Sequence, residues 1–352
     1  MKNPRNFRPF DGTRRETTMS GWRGLQGAVY LLGLFLFLSL WVRPRLGLHL
    51  FWNVLIPVAP ALFVLALGVW RNICPMGTTS MLPRYLGFSR KRKISILWSK
   101  RLQLIGFVLL IGMIPLRHVI LDLSGPATAI ALLSFAVIAV SGGLFFDWKS
   151  AWCSGLCPVQ HVEKLYGGQP LFRTANAHCF SCVGCVRPCL DSVATYRSQK
   201  SVGGSSRAIE VWMTGGFVGY IWGWFHVPNF TGGETWIHLF RAYAAPLGAS
   251  LLSLAIYLAM RHFLPEVRRE RLRTFFGAAA IACYYWYRLP ALFGFGIFPV
   301  DGMLTDMSAT FPSWFPLFSR LVTTSFFAYY FLRSNVERRS WSMRPTLAVS
   351  ES

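Results

Sequence analysis

Charged residues are scarce in this chain. They make up 14% of its 352 residues, whereas a soluble domain has about a quarter. Acidic residues are especially few, with 14 aspartates and glutamates against 36 lysines and arginines. In a soluble protein the resulting net charge of +22 would indicate a nucleic-acid partner. Here the basic residues form short runs between long apolar stretches, which is typical of a multi-span membrane protein and argues against nucleic acid.

The chain also lacks the features of a cleaved secretory signal. Residues 1–24 are polar and basic, the first apolar run begins late, and further apolar runs follow it. A signal peptide has a shorter charged region and a small-residue cleavage site. We therefore expect the first apolar run to be a retained helix. The basic run at 90–93 is interpreted as a contact with anionic lipid headgroups.

Eight apolar runs of about 20 residues predict an all-α polytopic membrane protein with about eight transmembrane helices. These runs cover residues 25–42, 50–70, 102–121, 126–145, 211–228, 242–260, 274–295 and 314–332. Four glycines interrupt the fifth run, although small residues also permit close helix packing in lipid. Arg288 and Pro290 predict a kink or break near the outer end of the seventh.

The distribution of basic residues predicts the orientation. With a cytoplasmic N-terminus, the inside segments contain 30 of the 36 lysines and arginines. Such an excess favours the cytoplasmic (inner) membrane with both termini cytoplasmic. The predicted organisation is a basic N-terminal segment (1–24), a four-helix membrane half (25–145), a small cytoplasmic ferredoxin-like iron–sulfur insertion between helices four and five (146–210), a second four-helix half (211–332) and a cytoplasmic tail (333–352).

Cys179, Cys182, Cys185 and Cys189 have the C-x2-C-x2-C-x3-C spacing of bacterial ferredoxins. Soft thiolates on a tight loop are the ligands that iron–sulfur clusters need. Disulfides are disfavoured on a reducing cytoplasmic side, and zinc sites usually use two separated pairs. We therefore predict a 4Fe–4S cluster here. Pro188 precedes the last cysteine instead of following it, which leaves the fourth ligand open between this cysteine and one elsewhere.

Three further cysteines lie at predicted helix ends. Cys153 and Cys157 belong to W-C-S-G-L-C-P, and Cys74 belongs to R-N-I-C-P-M-G. An aromatic–Leu–Gly patch follows each Cys-Pro unit, which indicates a weak duplication. These thiols could ligate a second cluster, act as a redox-active set, or be ordinary interfacial cysteines. Cys283, within the seventh run, is expected to be inert packing.

These motifs resemble those of the membrane-bound 4Fe–4S ferredoxin-type proteins of the NapH/NosR/CcoG group, over residues 50–195. The resemblance implies a role in passing electrons, typically between quinol and a partner and often in support of a metalloenzyme. The chain departs from the group in three ways. It has one cluster run where many relatives have two, Trp70 stands where an upstream cysteine is expected, and it has no large periplasmic domain.

Four histidines are predicted near the outer ends of spans: His49, His118, His226 and His238. They could bind haem b, line a quinone-type pocket, or be tolerated interfacial residues. Arg117 and Arg288 would suit a quinone carbonyl or an anionic substrate, the alternative being that they extend to the interface.

The sequence predicts a membrane-bound 4Fe–4S electron-transfer protein and a candidate oxidoreductase component. Electrons would pass between a cytoplasmic or quinone donor and a membrane or periplasmic acceptor, in support of a redox enzyme. Two other functions stay open: a metal-handling assembly or transport factor, for copper or a similar metal, that uses Cys153 and Cys157, and a membrane reductase with its substrate site in the last four helices. The expected partners are the lipid bilayer and a redox protein or quinone, with the oligomeric state left open.

Overall fold

The computed structural model describes residues 12–92, 94–146, 149–167, 171–172, 174, 205–230 and 235–333. Within these ranges the regular structure is helical, apart from an isolated parallel β-bridge between Arg92 and Phe146. The predicted all-α class is confirmed for this part of the chain. The predicted cluster run at 179–189 lies outside the described residues, as does nearly all of the predicted tail.

The α-helices are numbered in chain order over the described ranges. They are α1 (Gly12–Val42), α2 (Pro44–Leu48), α3 (Ile56–Ile73), α4 (Pro75–Tyr85), α5 (Ile96–Leu116), α6 (Gly125–Phe145), α7 (Val159–Tyr166), α8 (Ser205–Gly215), α9 (Phe217–Phe225), α10 (Thr235–Phe263), α11 (Glu266–Leu292) and α12 (Phe315–Arg333). Three π-helical segments accompany them: His49–Leu55, Arg117–Leu121 and Trp152–Leu156.

Five helical segments among the described residues are long and apolar enough to cross a bilayer. They are Ser20–Val42, Pro44–Tyr85, Leu97–Leu121, Gly125–Phe145 and Trp236–Phe263. These five correspond to the first four predicted spans and the sixth. Large apolar side chains on them point outward, among them Phe35, Val108, Val137 and Leu251. An apolar outer surface on helices of this length is what a lipid environment requires, and the protein is a helical membrane protein.

The other three predicted spans are helical but differ from the five. The fifth predicted span is divided at Gly216 into α8 and α9, which have 11 and 9 residues. The charged residues of α11 are concentrated in its first turns, before the predicted seventh span begins. The predicted break near Pro290 is a helix end, because α11 stops at Leu292.

The glycines of the fifth predicted span allow a close helix contact. A β-carbon on Gly223 would lie 2.5 Å from the carbonyl oxygen of Ala245, and one on Gly219 would collide with the Ala249 carbonyl. The small residues therefore let α9 pack directly against the backbone of α10, as the sequence predicts for a glycine-rich helix in lipid.

An apolar core joins α3, α9 and α11 midway along the bundle. Its fully buried members include Phe63, Tyr220 and Ile281. The Tyr285 hydroxyl donates a 2.7 Å hydrogen bond to the Pro57 carbonyl, so the core ties α11 to the start of α3. This core separates two clusters of polar and sulfur-containing side chains, one at each end of the bundle.

Candidate functional site

The two Cys-Pro units have nearly the same backbone geometry. Cys74 has φ −56° and ψ 118°, and Cys157 has φ −63° and ψ 116°. A residue before proline is restricted to such extended conformations, and proline itself suits the first turn of a helix. Each unit therefore ends one helical segment and starts a short helix, α4 or α7, whose last residue is Tyr85 or Tyr166. This agreement supports the weak duplication in the sequence.

The three cysteines of these units converge. The sulfur atoms of Cys153 and Cys74 lie 3.9 and 4.0 Å from the position that a β-carbon on Gly77 would occupy. Cys153 is also 3.9 Å from the Ser80 hydroxyl. Cys157 is close enough to the other two thiols to interact with them electrostatically. Cys74 thus meets Cys153 and Cys157 at one end of the bundle, although they follow it by 79 and 83 positions in the sequence.

Glycine packing fixes the segment that carries two of these thiols. A β-carbon on Gly106 of α5 would lie 2.5 Å from the carbonyl oxygen of Gly155, and one on Gly155 would lie 2.8 Å from the β-carbon of Leu102. Gln103 donates a 3.3 Å hydrogen bond to the Ser154 carbonyl. The π-helical turn between Cys153 and Cys157 therefore lies directly against the α5 backbone.

A buried group of charges, which the sequence analysis did not identify, adjoins the thiols. Arg71 and Glu163 form a 3.0 Å ion pair in which each side chain is 6% exposed. The Trp70 indole donates to the other Glu163 oxygen at 2.9 Å. Lys149, also buried, donates to the Arg71 carbonyl at 3.4 Å. Trp70, which stands where an upstream cysteine was expected, thus helps to hold a carboxylate.

Burial dominates the electrostatics of this end. It raises the pKa of the Cys157 thiol well above its ordinary value, and the neighbouring Cys153 and Glu163 act in the same direction. Burial also lowers the pKa of His161 to about 4, with Lys164 contributing. The His161 ring nitrogen Nε2 is 3.0 Å from the Gln103 carbonyl, so the neutral ring donates there. The Cys157 thiol is therefore held in its protonated form, and a bound metal centre would favour its thiolate.

The chain that leads to the predicted cluster run is anchored to helix α3. Helix α3 is broken at Ala66, where φ is −149° and ψ is 60°. The Val64 and Leu65 carbonyls, next to this break, accept hydrogen bonds of 3.1 and 2.7 Å from the backbone N–H groups of Leu171 and Phe172. Non-helical backbone at membrane depth is tolerated where another segment supplies such bonds. The approach to the run is therefore tied to the helix that ends at Cys74.

Helix α8, which follows the predicted cluster run in the sequence, packs against the same helix as α7. Trp212 of α8 contacts Phe107 of α5 with ring centroids 5.0 Å apart, and Phe107 contacts His161 of α7 at 5.8 Å. Residues 175–204, which contain Cys179, Cys182, Cys185 and Cys189, lie between α7 and α8 in the sequence. The geometry of those four cysteines lies outside the described residues.

Within the described residues no group of three or more His, Cys, Asp or Glu side chains is arranged to hold a single metal ion. The ligands of an iron–sulfur cluster surround several iron and sulfide atoms, so their sulfurs are further apart than those around one ion. Cys74, Cys153 and Cys157 supply the soft donors that such a cluster requires, and a fourth ligand would have to come from another part of the chain.

A second polar cluster lies at the opposite end of the bundle. Arg117, which is 4% exposed, pairs with Asp122 at 3.0 Å and lies over the rings of Trp52 and Trp224. Asn229 donates to the same carboxylate at 3.1 Å, and its backbone N–H donates to Asp301 at 2.9 Å. This network closes the end of the bundle around a buried guanidinium.

His118 belongs to this network. Its position there favours the predicted haem or quinone role over that of an interfacial residue. Its ring Nδ1 lies 2.8 Å from the Asn229 amide oxygen, and its side chain is 6% exposed. The other ring nitrogen, Nε2, is buried and has no hydrogen bond of good geometry among the described residues. Burial also raises the pKa of the neighbouring Asp301, while the Asn229 N–H opposes that shift.

Arg288 extends the cluster into the seventh predicted span. It is 2% exposed, and its guanidinium donates to the Trp52 carbonyl and, at 3.0 Å, to the Asn53 amide oxygen. Asn53 in turn donates to the Met303 carbonyl at 2.9 Å. Arg288 therefore does not extend to the interface as the alternative interpretation had it, and is satisfied largely by neutral acceptors inside the protein.

The other three predicted histidines each contact a different residue, and His49 alone contacts a partner of Arg288. His49 is 3.3 Å from Asn53, four residues further along its own helical segment. His226 bonds the Trp222 carbonyl at 2.7 Å, and His238 stacks on Phe230 at 4.6 Å between ring centroids. No group of three of the predicted histidines and other possible ligands forms a metal site within the described part.

The π-helical segments coincide with both clusters. Trp152–Leu156 carries Cys153, Arg117–Leu121 carries His118, and His49–Leu55 carries the Asn53 and Trp52 partners of Arg288. Such segments are rare and occur frequently at functional sites. A helical stretch of 25 residues, from 49 to 73, connects the two ends. Its path length is about 35 Å, and it is broken at Ala66.

No known protein family, characterised protein or solved structure matches this chain in comparisons of its sequence and fold.

Proposed function

We propose that this protein is a membrane-bound 4Fe–4S electron-transfer protein and a component of an oxidoreductase system. The observation that carries the proposal is the convergence of three cysteines in a chain whose sequence also contains the ferredoxin spacing. Cys74, Cys153 and Cys157 converge at one end of the bundle, and the four cysteines of the ferredoxin spacing lie between α7 and α8 in the sequence. On the proposed cytoplasmic side, two such cysteine sets favour iron–sulfur chemistry over disulfides.

A 4Fe–4S cluster, when bound, supplies a one-electron redox centre whose potential depends on net charge, hydrogen bonds and exposure. The protein's own residues supply those three influences at the converged thiols. Lys149 brings buried positive charge, which favours thiolate ligands and a reduced centre, whereas the charge of Arg71 is balanced by Glu163. The close packing of Gly106 on Gly155 excludes water from one side. Cys179, Cys182, Cys185 and Cys189 are the proposed primary ligands.

The proposed topology has eight crossings in the cytoplasmic membrane. The five long apolar helices account for five of them, and α8 with α9, α11 and α12 would supply the rest. α8 and α9 together cover 205–225, which is about 30 Å of helix and enough for the hydrocarbon core. The excess of lysine and arginine in the inside segments supports a cytoplasmic cysteine end and cytoplasmic termini.

The separation of the two ends restricts where the redox partners bind. An electron does not tunnel over about 35 Å in one useful step. The direct donor and acceptor of the cluster, whether a soluble redox protein or a quinone, must therefore both approach the cysteine end. A periplasmic acceptor near His118 would require an additional carrier in the bundle, such as haem b, and His118 with its free Nε2 is the favoured ligand of the four histidines.

Iron analysis of the anaerobically purified protein tests the proposal. About four iron and four acid-labile sulfide atoms per chain, with one low-temperature EPR signal after reduction, are expected for one cluster and about eight for two. Serine at positions 179, 182, 185 and 189 should abolish the signal from the primary cluster. Cys283→Ser is the matched control, because that thiol lies in the apolar core and should leave the iron content unchanged.

Metal content also distinguishes the other functions. Stoichiometric copper or zinc on Cys153 and Cys157, with no iron, would contradict the electron-transfer proposal and favour a metal-handling factor. An absorbance spectrum of the reduced protein with a haem b band that His118→Gln removes would support a second carrier. Retention of iron and of the EPR signal in the fourfold serine variant would contradict the assignment of these ligands.

A further inference from the structure

A basic pocket lies between α8, α10 and α11, away from both clusters. It encloses about 240 Å³ and is lined by three arginines from three different helices, Arg207, Arg261 and Arg273. One water molecule occupies about 30 Å³ of liquid, so the pocket has room for a phosphate group and several waters. Nothing in the electron-transfer proposal uses these residues.

The charges of the pocket favour an anion. Glu210 is the acidic residue that lines it, against the three guanidiniums. Its carboxylate is 3.7 Å from Arg273, and the two side chains are 52% and 36% exposed, so the pair is partly solvated and weakly held. Arg207 and Arg261 have no ion-pair partner among the described residues. The lining therefore carries a net charge of about +2 toward any ligand.

The floor of the pocket is rigid. Tyr257 is 2% exposed and its ring meets Phe276 at 5.0 Å. A β-carbon on Gly215 would lie 2.5 Å from the Tyr257 ring, which shows how closely α8 approaches α10 there. Thr214, also on the lining, donates its hydroxyl hydrogen to the Glu210 carbonyl at 2.8 Å, so its oxygen can accept from a bound water or from a headgroup hydroxyl. A preformed cavity of this kind is more than a solvated basic surface.

The pocket lies where an apolar helix ends. Arg261 is in the last turn of the span Trp236–Phe263, which ends at an 82% exposed Phe263. Phe275, which is 54% exposed, contacts Phe276, and Phe276 contacts the lining residue Tyr257. A headgroup in the arginine pocket would therefore have apolar surface next to it for acyl chains. Arginine binds phosphate oxygens with paired, charge-assisted hydrogen bonds, and basic pockets between membrane helices bind anionic headgroups.

We propose that Arg207, Arg261 and Arg273 form a phosphate-binding site at the membrane interface. The shared chemistry is a phosphate group, carried either by an anionic phospholipid or by a free phosphate. The exposed phenylalanines favour the phospholipid. The alternative is that these arginines only fix the topology. That role would be met by arginines anywhere on the cytoplasmic side, and it does not explain why arginines from three helices line one cavity.

Binding to the purified full-length protein tests this proposal. Native mass spectrometry would compare phosphatidylglycerol with phosphatidylcholine of the same acyl chains, and thermal unfolding would be followed with inorganic phosphate. We expect tighter binding of phosphatidylglycerol, about fivefold weaker in Arg207→Gln or in Arg261→Gln and more than tenfold weaker in the double variant. Arg271→Gln, on α11 but not lining the pocket, makes the same charge change and should alter binding less than twofold.

A variant that is expected to tighten binding distinguishes a specific effect from misfolding. Glu210→Gln removes the negative charge of the lining and should tighten binding, which a loss of structure would not do. Stabilisation by phosphatidylglycerol but not by phosphate identifies a lipid site, and stabilisation by phosphate alone identifies a free-anion site. Equal binding of both lipids with no response to phosphate, or equal weakening by Arg271→Gln, would overturn the proposal.

Discussion

The Arg71 guanidinium lies 3.0 Å from the Glu163 carboxylate, 92 residues further along the chain, and both side chains are 6% exposed. The pair joins the end of α3 to α7, and therefore joins the helical segments that carry Cys74 and Cys157. The Trp70 indole completes the contact. The relative position of the two Cys-Pro units depends on this ion pair.

Removing one member of the pair should destabilise the protein strongly. Arg71→Gln or Glu163→Gln leaves an uncompensated buried charge, for which we expect a loss of about 3–5 kcal/mol in the free energy of unfolding. The double variant Arg71→Met with Glu163→Leu should lose much less, because neither member of the pair is left without its partner. Denaturant unfolding in detergent measures all of them. Equal losses in the single and double variants would show that the pair has no structural role.

Glycine at position 155 should be required for the position of the Cys153–Cys157 turn. A β-carbon there would lie 2.8 Å from that of Leu102, so Gly155→Val must displace the turn from α5. We expect a stability loss of about 1–3 kcal/mol and increased labelling of Cys153 and Cys157 by a thiol reagent. The control is Gly112→Val on α5, where a β-carbon would meet nothing within 4 Å. Unchanged labelling of the Gly155 variant would contradict the packing argument.

The pH dependence of stability should contain a contribution from His161. Burial lowers its pKa to about 4 from an ordinary value of 6.5. The unfolded chain therefore binds a proton more readily, and this contribution is fully present above pH 6.5 and is lost as the pH falls toward 4. We expect about 2–3 kcal/mol between these limits.

The comparison that isolates this contribution is His161→Gln, which keeps a donor for the Gln103 carbonyl and does not titrate. Melting temperatures of the two proteins should be close to parallel above pH 6.5. Between pH 6 and 4.5 the native protein should lose more stability than the variant, whereas carboxylate protonation affects both. Parallel curves over the whole range would show that His161 is charged or solvated in the folded protein.

The sequence predicts the local features of this protein better than its long-range pairs. Proline after Cys74 and after Cys157 restricts the backbone locally, so the helix ends at these residues were predictable. Arg71 and Glu163 were missed because burial and pairing across 92 residues leave no local pattern. The available signal was weak: Glu163 is a rare carboxylate in a basic segment.

The membrane spans also show that local features are predictable from the sequence and long-range contacts are not. Long apolar runs such as 126–145 predict helices directly, because lipid requires every backbone group to be satisfied within the segment. The break at Gly216 and the packing of Gly223 on Ala245 depend on a neighbouring helix, which the fifth run alone does not specify. The association of His118 with Asn229, 111 residues away, likewise required the tertiary structure.

The number of clusters should depend on the converged thiols. Serine at 74, 153 and 157 removes three soft ligands from one place, and if they hold a second cluster the iron content should fall from about eight atoms to about four. One EPR signal should disappear while the signal from the 179–189 run persists. If these thiols hold no iron, the triple variant should keep its full iron content, and the protein would then have one cluster. A fall from about four iron atoms to about three, with a changed EPR signal, would indicate that Cys74, Cys153 or Cys157 supplies the fourth ligand of the primary cluster, because a single missing thiolate leaves one iron unheld.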